Sequence, residues 1–244
     1  MHAFLQVVSV RLGLGVLLGA IVLPGALGCN LITDVDALRF EPCAPGFSEE
    51  LTATDVQGSD GGSAFLDVCP EGEVLVGLRG GMSGSFISGI SGICGAVRVS
   101  EAHPYTISIT PGDAMPGVRG IMGSEQPTSE MCPPNEVVVG FEGSTALFDA
   151  NNPRPVLFRI SLVCAPLLAE GPPAAPSFTL GETTRTPSMG GSDDKGDAFD
   201  PVHCPGSQIA RALQGRSGML VDALALGCAE PSLACLGDRP SAEE

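Results

Sequence analysis

Apolar residues recur at every second position in short segments of this chain, each of which follows a Cys-Pro pair. Counted from the cysteine, the segments at residues 73–78 (EVLVGL) and 136–141 (EVVVGF) place apolar side chains at positions +5, +7 and +9. This is the spacing of a half-buried β-strand. Val is abundant, glycine closes each segment, and the surrounding glycines and prolines leave little room for helices. We therefore predict an all-β fold.

The Cys-Pro pairs open three copies of one motif, which is the strongest signal in the sequence. Position +5 is Val74, Val137 or Ile209, position +9 is Leu78, Phe141 or Leu213, and position +11 is Gly80, Gly143 or Gly215. At position +7, Arg211 replaces the valines of the other two copies, so we expect this face of the third copy to be exposed to solvent. The middle copy carries an insertion near residues 148–153.

Each copy also ends in a second cysteine, 25, 32 or 24 residues after the first. An even set of eight cysteines remains when Cys29 is set aside, and in an exported protein such a set indicates disulfides. Equivalence between the copies predicts three intra-repeat bonds, and the two remaining cysteines would join the ends of the domain. The predicted pairs are Cys69–Cys94, Cys132–Cys164, Cys204–Cys228 and Cys43–Cys235. Zinc is a poor alternative, because no Cys-x-x-Cys occurs and the spacing matches no zinc module.

A further candidate strand precedes each first cysteine, at residues 47–54 (FSEELTAT), 105–110 (YTISIT) and 177–184 (SFTLGETT). The repeats would then cover about 47–104, 105–176 and 177–236. A single unit cannot bury its own apolar face, so we predict one all-β domain over residues 46–236. Residues 237–244 would form a flexible tail.

The arrangement CPxxxVxxGhxG, a glycine-led turn and an Asp before apolar residues, in three copies, resembles a known architecture. The turn is clearest at residues 215–228 (GRSGMLVDALALGC) and is missing from the second copy. The pattern is similar to the β-prism of vitelline membrane outer layer protein I and, more remotely, of jacalin-related lectins. The resemblance implies a three-repeat antiparallel β-prism-like domain with intra-repeat disulfides. Jacalin-type sugar sites use a free N-terminal Gly and a late Gly-Tyr/Trp-x-Asp loop, and neither occurs here.

The first 28 residues indicate export. They carry one charge, Arg11, before an apolar run at residues 12–27 that is too short and too rich in glycine for an ordinary membrane span. The run ends in residues 26–29 (ALGC), which resemble a bacterial lipobox. That resemblance implies a signal peptide over residues 1–28, a diacylated Cys29 and a tether over residues 29–45. The alternative is a plain secretory signal cut near Gly28, which would leave Cys29 as a free thiol.

Charge excludes one class of partner. The chain has 28 acidic and 12 basic residues and a net charge of −16. Nucleic-acid binding needs clustered Lys and Arg that displace counterions, so we expect no nucleic-acid partner. Under the enterobacterial sorting rule, Asn30 after the lipid-accepting cysteine would favour the outer membrane.

Candidate chemistry is sparse. No Gly-x-Ser-x-Gly elbow occurs, and His103 and His203 are expected on the surface, so we predict neither a catalytic residue nor a cofactor. The carboxylates of Asp193, Asp194, Asp197 and Asp200 could hold Ca²⁺, but we interpret the run as a solvated acidic turn. Asp222 is the one ligand-binding candidate, although turn capping is the role that its position favours.

These observations predict an exported, lipid-anchored envelope protein that acts as a non-catalytic binding module for a cell-surface glycan or protein. A single Tyr and the absence of Trp weaken the glycan interpretation, since sugars commonly stack on aromatic rings. The alternatives are a structural envelope lipoprotein without a ligand and, less favoured, an exported hydrolase.

Overall fold

Long antiparallel hairpins, one from each sequence copy, form the framework of the molecule. The computed structural model describes residues 43–100, 104–123, 127–149, 152–172, 175–192 and 195–234. Within these ranges the regular structure is all β, and no helix occurs that could cross a bilayer. The hairpins are β5–β6, β10–β11 and β16–β17, and short strands flank each of them.

The strands follow the chain in this order. The first copy contains β1 (Ala44–Phe47), β2 (Thr52–Ala53), β3 (Gln57–Gly58), β4 (Ser63–Val68), β5 (Glu73–Ser83) and β6 (Phe86–Val99). The second contains β7 (Ile107–Ala114), β8 (Arg119–Gly120), β9 (Thr128–Met131), β10 (Glu136–Asp149) and β11 (Asn152–Glu170). The third contains β12 (Ser177–Leu180), β13 (Thr184–Arg185), β14 (Met189–Gly190), β15 (Asp197–His203), β16 (Ile209–Ser217), β17 (Val221–Ala229) and β18 (Pro231–Ala234).

Three antiparallel sheets form the faces of a β-prism. Sheet I has the order β2-β17-β16-β4 with β3 also on β17, and sheet II has the order β7-β6-β5-β9 with β8 also on β6. Sheet III has the order β12-β11-β10-β15, with β13 and β14 also on β11. The predicted all-β, three-copy prism is therefore confirmed.

Each sheet combines strands from two different sequence copies. The hairpin of the first copy pairs with β7, β8 and β9 of the second, and the hairpin of the second pairs with strands of the third. The hairpin of the third copy pairs with β2, β3 and β4 of the first, which closes the ring. Every copy therefore spans two neighbouring sheets.

The disulfides connect these neighbouring sheets. Each first cysteine follows the outermost strand of one sheet, and each second cysteine lies in a central strand of the next. The bonds are Cys69–Cys94, Cys132–Cys164 and Cys204–Cys228, each with a Cα–Cα distance of 5.7 Å. The predicted intra-repeat pairing is confirmed, and all six cysteines are buried in the central core.

The hairpin strands are buried on both faces, so the prediction of half-buried strands was wrong. A register shift interrupts the pairing at position +7 in all three hairpins, at Val76, Val139 and Arg211. A β-bulge of this kind reverses the face to which the following residues point. Val74 and Val76 therefore pack in one apolar cluster, while Leu78 packs in the central core.

Arg211 is buried, contrary to the expectation that its face meets solvent; 9% of it is exposed. Its guanidinium donates hydrogen bonds to the carbonyl oxygens of Cys69 (3.2 Å), Pro70 (3.0 Å) and Glu73 (3.1 Å). It also lies 5.3 Å from the centroid of the Phe47 ring. Burial lowers the pKa of this guanidinium. Because its polar atoms are satisfied by backbone, the arginine joins the first copy to the third from inside.

The two ends of the prism differ. At the base, β1 pairs with β18 from Ala44↔Ala234 to Phe47↔Pro231, and Phe47 and Leu233 pack against the second apolar cluster. At the opposite end, the apex, the three hairpins turn. Cys43 is disulfide-bonded at the base, while its predicted partner Cys235 lies outside the described residues. The predicted signal peptide, Cys29, most of the tether and the predicted tail also lie outside them.

Candidate functional site

Asp222 lies at the apex of sheet I, directly after the turn of the β16–β17 hairpin. The next residue, Ala223, pairs with Gly58 of β3, so the loop from β3 to β4 passes beside the Asp222 side chain. The backbone amide of Ser59 donates to the carbonyl oxygen of Asp222 at 2.9 Å. Two segments about 160 residues apart in sequence therefore meet at this point.

The same backbone geometry occurs once in each sheet. Six residues before the second cysteine, a carbonyl oxygen accepts a hydrogen bond from the residue after a glycine of positive φ. The carbonyl belongs to Asp222, Ser88 or Phe158, and the donors are Ser59 (2.9 Å), Ile121 (2.7 Å) and Gly191 (2.8 Å). The glycines are Gly58 (φ 119°), Gly120 (φ 91°) and Gly190 (φ 109°). A Cβ on any of these glycines would meet the carbonyl oxygen. We call these three arrangements the apex frames.

The side chains that fill the apex frames differ. Ser88 is 2% exposed, and its hydroxyl has no hydrogen-bond partner among the described residues. Phe158 is also buried and lies against the position that a Cβ of Gly191 would take. Asp222 is half-buried. Of the three apex frames, the one in sheet I therefore presents a carboxylate that solvent can reach.

Two glycines allow the Asp222 carboxylate to lie close to the β3–β4 loop. A Cβ on Gly61 or on Gly62 would meet the carboxylate oxygens, and Gly62 also has a positive φ of 62°. The Arg216 guanidinium donates to the carbonyl oxygens of both glycines at 2.8 Å, which holds the loop in place. Side chains larger than hydrogen would push the carboxylate away from this loop.

Burial sets the electrostatic state of Asp222. Desolvation raises the pKa of its carboxyl group, and hydrogen bonds from the backbone of Gly218 and of Asp222 oppose that shift. The charges of Arg216 and Arg154 also oppose it. The result is a carboxylate with a raised pKa that accepts hydrogen bonds from the backbone of its own turn and is still accessible to solvent. Such a group is a strong acceptor for the hydroxyl groups of a ligand.

Asp222 lines a cavity of about 150 Å³ between the apices of sheets I and III. Two of its lining residues are exposed apolar side chains, Phe148 (51% exposed) and Met219 (71% exposed). Arg154 of β11 also lines it and pairs with the exposed Asp60 at 3.6 Å. The full lining is Gly62, Phe148, Asp149, Arg154, Val156, Gly218, Met219, Leu220 and Asp222. A carboxylate beside backbone amides and an apolar wall suits a ring that has hydroxyl groups along its edge and one apolar face.

Two larger cavities lie elsewhere on the prism. One of about 500 Å³ separates β4 from β7, and its Asp67 is already engaged by Arg119 in a two-point ion pair. The other, of about 590 Å³ at the base, contains Arg211, whose guanidinium is held by backbone carbonyls. Asp67 in the first cavity and Arg211 in the second are therefore held by contacts within the fold, whereas the apex cavity presents the carboxylate of Asp222 to solvent.

None of the remaining sequence candidates that the structure describes lines the apex cavity. Asp197 and Asp200 lie exposed on β15, while Asp193 and Asp194 lie outside the described residues. The described residues contain no group of three or more His, Cys, Asp or Glu side chains that could hold a metal ion. His203 is exposed at the end of β15, and His103 lies outside the described residues.

Sequence reasoning missed three partners of Asp222. Gly61 and Gly62 are adjacent glycines, but nothing in the sequence places them beside a residue of the third copy. Phe148 and Arg154 flank the insertion of the middle copy, which carries no chemical signal of its own. An insertion confined to one of three otherwise equal hairpins is the one feature that could have drawn attention to them.

Comparison with known proteins gives structural neighbours only. No family model matches the chain, and no curated protein matches it. Among solved structures, Calsepa lectin in complex with a bisected glycan is 15% identical, with a TM-score of 0.46, over 74% of this chain and 99% of that one. An artocarpin–mannopentose complex is 15% identical, with a TM-score of 0.47, over 74% and 99%.

A mannose-specific jacalin-related lectin from Morus nigra, in complex with mannose, is a further neighbour. It is 18% identical, with a TM-score of 0.46, over 75% of this chain and 96% of that one. This Morus nigra lectin belongs to the family to which the sequence shows a remote resemblance. The resemblance to vitelline membrane outer layer protein I is not tested by these comparisons and stays a prediction.

Proposed function

We propose that this protein is a non-catalytic binding module that recognises a neutral glycan at the apex cavity. One observation carries the proposal. Of three apex frames with the same backbone geometry, the frame in sheet I holds a solvent-accessible carboxylate, Asp222, above a pair of glycines. The equivalent positions hold Ser88 and Phe158, so the shared backbone geometry does not itself require a carboxylate here.

The cavity chemistry favours a hydroxyl-rich, uncharged ligand. Asp222 would accept hydrogen bonds from neighbouring hydroxyl groups of a sugar, and the apolar side chain of Met219 would cover its carbon face. An anionic sugar is disfavoured, because the chain has a net charge of −16 and the cavity already contains Asp149 and Asp222.

A glycan array probed with the full chain, purified in detergent, tests this function. Saturable binding to neutral glycans is expected, and Asp222→Asn is expected to remove it. Asp200→Asn is the matched control, because Asp200 is an exposed carboxylate on β15 away from the cavity. Failure of the wild-type protein to bind any glycan would favour a structural envelope component without a ligand. Equal binding by Asp222→Asn would mean that the glycan binds away from Asp222.

We also propose that the protein is exported and anchored to the cell envelope, with Asn30 favouring the outer membrane. Three disulfides support a location outside the reducing cytosol. The described fold starts at the base, and the nine residues of β17 separate base from apex by roughly 30 Å at ~3.3 Å per residue. The described part of the domain therefore begins at the end of the prism opposite Asp222.

Mass spectrometry of the protein isolated from membranes tests the anchor. The N-terminal peptide is expected to begin at Cys29 and to carry acyl chains. Cys29→Ser is expected to release the protein from the membrane fraction while its three intra-repeat disulfides still form. An unmodified Cys29 in membrane-bound protein would contradict the proposal.

A further inference from the structure

Three aromatic rings run from the core of the molecule to the rim of the apex cavity. Phe158 is buried, Phe86 is half-buried, and Phe148 is the exposed outer member. Phe86 contacts both others edge to face, with ring centroids 5.2 Å from Phe148 and 5.2 Å from Phe158. Interplanar angles of 85° and 77° match the geometry that aromatic pairs prefer.

This chain of rings fixes an exposed phenylalanine at the edge of a polar site. Phe148 belongs to the hairpin that the insertion lengthens, and its support, Phe86, comes from sheet II. A half-exposed Phe adds little to the buried apolar core. Residues of two sheets nevertheless hold it beside the cavity that contains Asp222. Rigid aromatic surface of this kind is what ligand sites use to bind apolar faces.

The size of the cavity indicates how much of a glycan it takes. Its volume is about 150 Å³, whereas pockets that enclose a drug-sized ligand occupy ~300–1,000 Å³. One sugar ring therefore fills the cavity, and a second ring linked to it has to lie outside, along the rim. Phe148 and Met219 are the exposed apolar residues on that rim.

Building on the proposed function, we infer that the protein recognises an oligosaccharide of at least two rings, with the second ring stacked on Phe148. The first ring binds Asp222 and the backbone around Gly62 and Gly218. The contact with Phe148 then makes the affinity for an oligosaccharide higher than that for a single sugar. The inserted hairpin of the middle copy supplies this second subsite, which the hairpins of the other two sheets lack the length to provide.

Titration calorimetry with the full chain in detergent tests the second subsite. The probes are the methyl glycosides of mannose, glucose and galactose and the disaccharides mannobiose, maltose and lactose. Wild-type protein is expected to bind a disaccharide about tenfold more tightly than the matching methyl glycoside. Phe148→Ala is expected to remove most of that advantage, leaving monosaccharide affinity unchanged, since an aromatic contact of this kind accounts for about tenfold.

Leu147→Ala is the control, because Leu147 is 54% exposed on the same strand but does not line the cavity. Phe148→Leu keeps an apolar side chain and removes the ring, and it is expected to lose the same advantage, which covers the case in which the alanine variant folds poorly. Equal binding of mono- and disaccharides by wild-type protein overturns the second subsite alone. Equal weakening of both by Phe148→Ala also overturns it. Absence of all sugar binding overturns the proposed function as well.

Discussion

Cys204 and Cys228 belong to the same sequence copy, yet their disulfide joins two different sheets of the prism. Cys204 follows β15 of sheet III, and Cys228 lies in β17 of sheet I. The amide of Cys204 still donates to the carbonyl of Val139 in sheet III, at 2.8 Å. Pro205 then follows, and a residue without an amide proton cannot extend that ladder, so the chain leaves for the next sheet. The disulfide fixes the corner that results.

Removing this corner bond destabilises the whole prism. The double variant Cys204→Ser with Cys228→Ser is expected to lose about 3 kcal/mol of unfolding free energy, because the bond closes a loop of 24 residues in the unfolded chain. Urea unfolding followed by circular dichroism measures the loss. A change below about 1 kcal/mol would mean that the buried corner holds without its covalent link.

The buried Arg211 connects the first and third copies through hydrogen bonds. Arg211→Ala leaves the carbonyl oxygens of Cys69, Pro70 and Glu73 without their donor, and we expect a loss of about 2 kcal/mol. Arg185→Ala is the control, since Arg185 makes an exposed ion pair with Glu142 worth at most about 1 kcal/mol. Equal losses in the two variants would show that burial adds nothing at Arg211.

The repeats and the disulfides could be predicted from the sequence, because cysteines and glycines recur at equivalent positions in the three copies. The exchange of outer strands between copies could not be predicted. Similarity shows which segments are alike, whereas pairing partners such as β4 and β16 are set by the corner after Cys69. The bulge at position +7 was also hidden, because a period of two looks the same whether or not one residue is looped out.

The candidate site was also only partly predictable from the sequence. Asp222 stood out from the sequence because it follows a glycine-led turn, a local feature. Gly62 and Phe148 are its neighbours only through the closure of the ring and the insertion of the middle copy. Local patterns predict a residue that caps or lines a turn, whereas the composition of a cavity depends on contacts between distant segments.

Close backbone contact, in addition to a positive φ, is expected to constrain the apex frames. Gly58→Ala places a Cβ against the carbonyl of Asp222 at a φ of 119°, so we expect a loss of more than 1 kcal/mol and of glycan binding. Gly72→Ala is the control, since its φ is 75° but nothing lies within 4 Å of the new Cβ. Equal stability of the two variants would argue against the close contact between β3 and β17.

Asp222 is expected to weaken the fold in its ionised form. Burial raises the pKa of this carboxyl group, so the charged state is less favourable in the folded than in the unfolded chain. Asp222→Asn should therefore melt at a higher temperature than wild type at pH 7. The advantage should shrink as the pH falls through the raised pKa and vanish below about 3.9, the ordinary value for Asp.

One result of the melting comparison would contradict a destabilising Asp222 carboxylate. A lower melting temperature for Asp222→Asn at pH 7 would indicate that the ionised carboxylate stabilises its own turn. Turn capping would then explain the residue better than ligand binding does. Asp200→Asn, measured alongside, accounts for the general effect of removing one charge from an acidic protein.

Sugar binding is expected to depend on pH in the opposite sense. The ionised carboxylate accepts hydrogen bonds from ligand hydroxyls, so affinity should fall on acidification with a midpoint above about 3.9. Calorimetric titrations of one disaccharide between neutral and acidic pH measure the midpoint. Affinity that stays constant down to pH values at which Asp222 is protonated would exclude its carboxylate as the acceptor.

The three apex frames allow one measurement to test the account within a single molecule. In amide-resolved NMR of the full chain in detergent, a saturating neutral disaccharide is expected to shift the amide signals of Gly62 and Gly218 in the frame of sheet I. A Cβ on Gly62 would meet the carbonyl oxygen of Ser217, and in the other two frames a Cβ on Gly123 or Gly196 would likewise meet that of Met82 or Thr145. The amide signals of Gly123 and Gly196 should not shift. Shifts at those two glycines, or none at Gly62 and Gly218, would contradict a single binding site at Asp222.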